Sequence, residues 1–308
     1  MQTSNFWAQA RQYWQLNGFL MPPHNLPIPK ARTGRIWVLG DGVVSPDAPD
    51  IETAVNNCKD GDTIVLTGPE DYDESGILTP AGVDNVSIIG SGNVPRSTRW
   101  RNSANADEPM ITVRGTGWLF QHIYFAGATK QACIRFLKDA TYNASESRVL
   151  GCVFNGGTCH IEHRAVAVSG NANIRIQGNR FIGARGGDFA TPGACVSSGA
   201  SGVGSTNVQI IDNEFYNCER MIAWAMSRSM IYGNKLQSVG HDGEASDTGK
   251  LNIGSFDGAA GNYNMVMHNV LGMAAASITN ANGFQDGANS VWADNYADDA
   301  VDYGVPGA

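Results

Sequence analysis

The chain has 308 residues with 21 Lys and Arg against 29 Asp and Glu, a net charge of −8 and a pI near 5.2. That balance argues against a nucleic-acid backbone as partner, and no stretch is long and apolar enough to insert in a membrane. Glycine, 37 of 308, stands at about 12 % against a usual 7 %, as in a chain that turns corners often.

Residues 4–17 predict a helix, with Ser4 as N-cap, Phe6, Trp7, Ala10, Tyr13 and Trp14 along one side and Gly18 as the stop. Four aromatics on so short a helix make an apolar face that either folds back on the chain or docks onto another protein. Pro22, Pro23, Pro27 and Pro29 then read as an extended tether. Residues 1–35 are therefore expected to be an attachment arm, with Phe6, Trp7, Tyr13 and Trp14 as its partner-binding residues. Residues 36–308 form the main domain. The first twenty residues lack a basic segment followed by an apolar run, so no secretory signal is read there. A protein made without one is expected to work in the cytoplasm, or to leave the cell by lysis as part of a virus particle.

Asp50 to Cys58 predicts a short helix, N-capped by Asp50, with Ile51, Ala54, Val55 and Cys58 on its apolar face and Gly61 just past its end. Asp62 to Leu66 follows at once as a strand.

From here a short pattern recurs: apolar, free, a turn residue, Asn, free, Phe or Leu. It reads Ile176 to Phe181, Ile210 to Phe215, Ile231 to Leu236 and Val266 to Leu271, with a fading copy at Trp292 to Ala297. Three looser copies precede these and put Ser91, Ile123 and Cys152 where Asn later stands. The spacing of this marker varies from 21 residues (Asn213 to Asn234) to 35 (Asn234 to Asn269). A period in this range with variable insertions marks a solenoid. Each copy is a strand, a one- or two-residue corner and a second strand, with no room for a helix. Gly tolerates φ > 0 and suits the corner, as does Asn. Stacked at about 4.8 Å, Asn179, Asn213, Asn234, Asn269 and Asn295 would form a hydrogen-bonded ladder. The Phe and Leu positions would form an inward stack beside it. An antiparallel sandwich would need its turn signals between the repeats, whereas here they fall inside them.

With these motifs the chain resembles the right-handed parallel β-helices of the pectin-lyase-like superfamily over about residues 36 to 297. The resemblance implies an all-β, single-stranded, right-handed parallel β-helix of about eight coils, capped at its start by the short helix and the Asp62–Leu66 strand. It implies little about activity, since many functions share one fold.

The six cysteines, Cys58, Cys133, Cys152, Cys159, Cys195 and Cys218, are expected to be free thiols, several of them small buried hydrophobes. No CxxC pair suggests a metal, and neither metal nor cofactor is predicted. Acid–base chemistry on carbohydrate needs carboxylates paired on one face. The best candidates are His241, Asp242, Glu244 and Asp247 in the insertion after the Asn234 coil, with Lys250, and Asp257 and Asp286 a coil on. His160, Glu162 and His163 lie close in sequence, with His160 and Glu162 expected to share a strand face. The Gly-rich stretch 183–207 reads as a long loop with no phosphate-binding setting. After Asn295 no capping helix is visible, and a solenoid's last coil has edges to cover. Self-association, burial in an assembly, or the charges of Asp298, Asp299 and Asp302 would cover them.

The arm, the tether, the open last coil and the sparse catalytic groups predict a structural protein of a tailed bacteriophage virion: a capsid decoration protein, a head spike or a tail-associated spike. The chain resembles virion β-helices that are commonly trimers, which implies a homotrimer among other virion proteins, in possible contact with host glycans. The alternative is an enzyme, a polysaccharide lyase or glycoside hydrolase of this fold. A third option is a sugar-binding module using exposed aromatics such as Trp224 or Tyr263.

Overall fold

The computed structural model describes residues 34–40, 46–91, 98–103, 108–127, 131–157, 159–165, 170–184, 194–198, 204–218, 220–237, 251–252, 255–256, 259–272, 284–285, 289–297 and 301–303. All belong to one compact unit, Gly34–Ala308. Of the attachment arm expected at residues 1–35, residues 1–33, with all four of its aromatics, lie outside the described residues.

The described chain is a parallel β-helix. Three strands per turn feed three sheets of ten, seven and eight strands, and every neighbouring pair within these sheets is parallel up to the last coil. In the ten-stranded sheet one inward column runs Trp37, Ile64, Ile88, Phe120, Val149, Ile176, Ile210, Ile231, Val266 and Trp292 in unbroken register. All ten are buried, which is why this column tolerates no polar residue. The inward column of the seven-stranded sheet is aromatic. Phe125, Phe154, Phe181 and Phe215 stack with ring centroids 4.9 to 5.0 Å apart and planes within 11° of parallel. That is the strand spacing itself, transmitted to the rings.

Between these two sheets the corner has a fixed chemistry. The residue before the marker position is left-handed: His122, Gly151, Gly178, Asp212, Gly233, His268 and Asp294 have φ between 53° and 68°. The marker residue that follows is buried. Asn213 Oδ1 accepts from both the backbone N and Nδ2 of Asn179, at 2.9 and 3.0 Å. The same pair of bonds joins Asn213 to Asn234, Asn234 to Asn269 and Asn269 to Asn295. The second amide hydrogen goes to a strand carbonyl: Val149 for Asn179, Ile176 for Asn213, Ile210 for Asn234 and Val266 for Asn295. Gly and Asn thus divide the corner between them. The turn residue takes the strained backbone, and Asn satisfies the buried polar groups that the turn leaves behind.

At the N-terminal end, helix α1 (Ile51–Asn57) is capped by Asp50, whose carboxylate accepts from Thr53 N at 2.7 Å. The helix stops at an extended Cys58 rather than running up to Gly61, whose φ of 80° turns the chain into the strand Thr63–Leu66. Asp62 secures this junction, accepting from Arg35 N, Trp37 Nε1 and Lys59 N. At the other end the chain does more than expected. Strand Val301–Tyr303 folds back antiparallel onto Asn295–Tyr296 and covers that edge.

Candidate functional site

The expected catalytic group, His241, Asp242, Glu244 and Asp247, lies outside the described residues, as do Lys250, Asp257 and Asp286. Among the described residues no three His, Cys, Asp or Glu are grouped to hold a metal ion. His160 and Glu162 do not share a face. His160 enters the third sheet at a corner and is fully buried, packed against the Phe154–Phe181 stack with ring centroids 5.6 and 5.7 Å away. Glu162 points outward and pairs with Arg135. Trp224 is buried, so of the two aromatics considered for sugar only Tyr263 is exposed. All six cysteines are free, and burial pushes the thiols of Cys133 and Cys152 up to about 12.

What stacking brings together is a pair of guanidinium groups. Arg148 and Arg175 occupy the same outward position of the ten-stranded sheet on consecutive coils, with Leu119 before them and Gln209 after. Two strand positions on, Gln121, Leu150, Gln177 and Ile211 form the neighbouring outward column. Arg175 Nε donates to Gln177 Oε1 at 3.0 Å, and Gln177 Nε2 reaches Asp212 at 3.5 Å. Partial burial, and then the charge of Arg148, hold the Arg175 guanidinium below its usual range, with Asp212 opposing. The corner beside them has no side chain at Gly151 or Gly178, and around Gly178 a Cβ would meet nothing within 4 Å. The exposed His122 ring, its pKa lowered by desolvation, lies under Gly151.

Some other cations are matched, although Arg114, Arg228, Lys59 and Lys138 are not in ion-pair reach of a carboxylate among the described residues. Arg35, Arg99, Arg101, Arg135 and Arg180 each lie within ion-pair reach of a carboxylate. Among the described residues Arg148 and Arg175 have no such partner. Two like charges one strand spacing apart repel by on the order of 1 kcal/mol even in water. Leu119 and Met230 show that the same column accepts apolar residues. The pair is therefore not needed for folding, and its geometry suits an anion. The signal was present in the sequence: each arginine stands four residues before a marker position, Cys152 and Asn179. The two arginines are 27 residues apart in sequence and become a cluster only on stacking.

No protein-family model and no curated protein matches the chain. Among solved structures it is similar to a PL6 alginate lyase complexed with a trisaccharide, at 13% identity and a TM-score of 0.48. That match covers 80% of this chain and 56% of the other. It is also similar to a mannuronic acid specific polysaccharide family 6 lyase from human gut microbiota, at 13% identity and a TM-score of 0.35, covering 77% and 58%. The chain spans little more than half the length of these two enzymes. The similarity is one of fold. No helix among the described residues is long and apolar enough to cross a membrane.

Proposed function

We propose that the outer face of the ten-stranded sheet holds an acidic polysaccharide, and that the protein is a carbohydrate-active β-helix, a polysaccharide lyase or glycoside hydrolase. The Arg148–Arg175 pair carries this reading. Each guanidinium offers parallel N–H donors that match a carboxylate, and the two stand one strand spacing apart on a chain of net charge −8. The amides of Gln177 and Gln209 beside them suit sugar hydroxyls. For the chemistry itself, Asp242, Glu244, Asp247 and His241 remain the proposed acid–base groups.

The test is titration calorimetry with a polyuronate and with a neutral glucan of equal length. The acidic polymer should bind more tightly, and Arg148→Ala with Arg175→Ala should weaken it by about tenfold or more, 1.4 kcal/mol. Equal binding by wild type and double variant defeats the reading. Turnover is followed as unsaturated uronate ends for a lyase or reducing ends for a hydrolase. Loss of either signal in Asp242→Ala and Asp247→Ala would support the assignment of the groups.

A second reading is a structural protein of a tailed bacteriophage virion, a decoration protein or spike whose basic pair meets host glycans. The apolar outer columns of the last coils favour it, since a surface of that kind is expected to be covered in an assembly. Cryo-electron microscopy of native particles decides it. Density for this chain on the particle supports the reading, and a particle lacking it removes the reading.

A further inference from the structure

We propose that Cys195 and Cys218 are a disulfide-forming pair: a small-molecule disulfide oxidises them, and the new bond staples two consecutive coils of the β-helix. Cys195 lies in the third-sheet strand Ala194–Ser198, on the coil that carries Asn179. Cys218 stands at the corner after the strand Glu214–Tyr216, on the next coil. Cys195 is fully buried and Cys218 is 2% exposed. A thiol–thiol hydrogen bond joins them, and the Ala184 backbone hydrogen-bonds to both sulfurs. Cys218 Sγ also lies 3.2 Å from Tyr216 O on its own coil and 3.7 Å from Phe181 O on the coil of Cys195. The two sulfurs therefore meet across the boundary between coils, the approach that a disulfide bond requires.

Packing alone does not call for a thiol at this corner. Gly157, Ala184 and Cys218 hold the same position on three consecutive coils, two residues past the aligned Asn155, Ile182 and Tyr216. The buried methyl of Ala184 suffices there. The hydrogen bond also divides the chemistry between the partners. The bond from Cys195 holds the Cys218 thiol below its usual range, whereas burial pushes the Cys195 thiol well above it. Burial likewise raises the thiols of Cys58, Cys133, Cys152 and Cys159. Cys218 is thus the first of the six to ionise, and the thiolate is the attacking species. It attacks one sulfur of the oxidant, forming a mixed disulfide and releasing one small thiol. Cys195 then gives up its proton and attacks Cys218 Sγ, displacing the second small thiol. The protein loses two electrons and two protons, and the oxidant gains them and leaves as two thiols. Because both cysteines are buried, the exchange takes place when this corner opens locally. This inference is independent of the glycan reading.

Peptide mapping of the native full chain tests it. The protein is incubated with oxidised glutathione in urea kept below its unfolding transition, then denatured in an alkylating reagent. Digestion with trypsin and a Glu-specific protease follows. No Lys or Arg lies between Gly186 and Glu219, and Glu214 separates the two cysteines. Mass spectrometry should find Gly186–Glu214 joined to Phe215–Glu219, lighter by two hydrogens than the separate fragments, with the other four cysteines alkylated. Cys195→Ala should instead trap glutathione on Cys218, which separates the attacking thiol from its partner. The cross-linked wild type should unfold at a higher urea concentration than the same protein after reduction. Six alkylated cysteines in the treated wild type overturn the proposal. So does a cross-link through any other cysteine.

Discussion

His160 is a titratable group held in an aromatic core. Its Nε2 lies 2.9 Å from Gly156 O, its Nδ1 has no partner, and its ring stacks on two phenylalanines. Burial holds its pKa at about 4 against 6.5 in the unfolded chain. Because the folded pKa is depressed, the unfolded chain binds the extra proton between these values. The stability is complete above about pH 6.5 and is lost as the pH falls towards 4. Two and a half pH units correspond to about 3 kcal/mol. Urea unfolding of wild type and His160→Phe across this window should therefore show their difference in stability changing by about that amount. A difference that stays constant with pH would contradict it. The sequence placed His160 on a strand, where alternation would put it outside with Glu162. It is inside because the strand begins at a corner, and corners interrupt the period of two.

The asparagine ladder shows how an element in this fold is held. Asn234 accepts two bonds from Asn213 and donates to Asn269 and Ile210, all buried. Removing its side chain strands Asn213 N, Asn213 Nδ2 and Ile210 O on the preceding coil and takes one of two donors from Asn269 Oδ1. Asn234→Ala should destabilise the protein by about 3 kcal/mol, whereas the exposed Asn155→Ala should cost less than about 0.5 kcal/mol. Thermal and urea unfolding of the two variants compare them directly, and equal losses would refute the ladder's contribution. The repeat made this column legible, since each Asn follows a residue suited to a left-handed corner. It also explains where the ladder begins. Cys152 N donates to Asn179 Oδ1 at 2.8 Å, and before that Ile123 fills the same position with an apolar side chain.

At the scale of the β-helix, each coil touches only the coils on either side, so local stability follows position in the stack. The amides of Phe120 and Val149 sit between paired strands on both sides, while Trp292 lies in the last strand of its sheet. Hydrogen exchange should be slowest around Phe120 and Val149 and faster around Trp292. Uniform exchange along the stack would show that the coils open as one unit.

The sequence by itself determined the parallel β-helix, its N-terminal helical cap and the buried ladders. These depend on a local pattern repeated at nearly constant offsets from the corner, and local patterns survive insertions of any length between repeats. Only the tertiary structure decided that Arg148 and Arg175 are neighbours, that His160 points inward, that Val301–Tyr303 closes an edge, and that Met230, Met265 and Val291 share one uncharged face. Those relations join residues on different coils or across corners. They are set by the register of stacked strands, which no stretch of chain short enough to read as a motif contains.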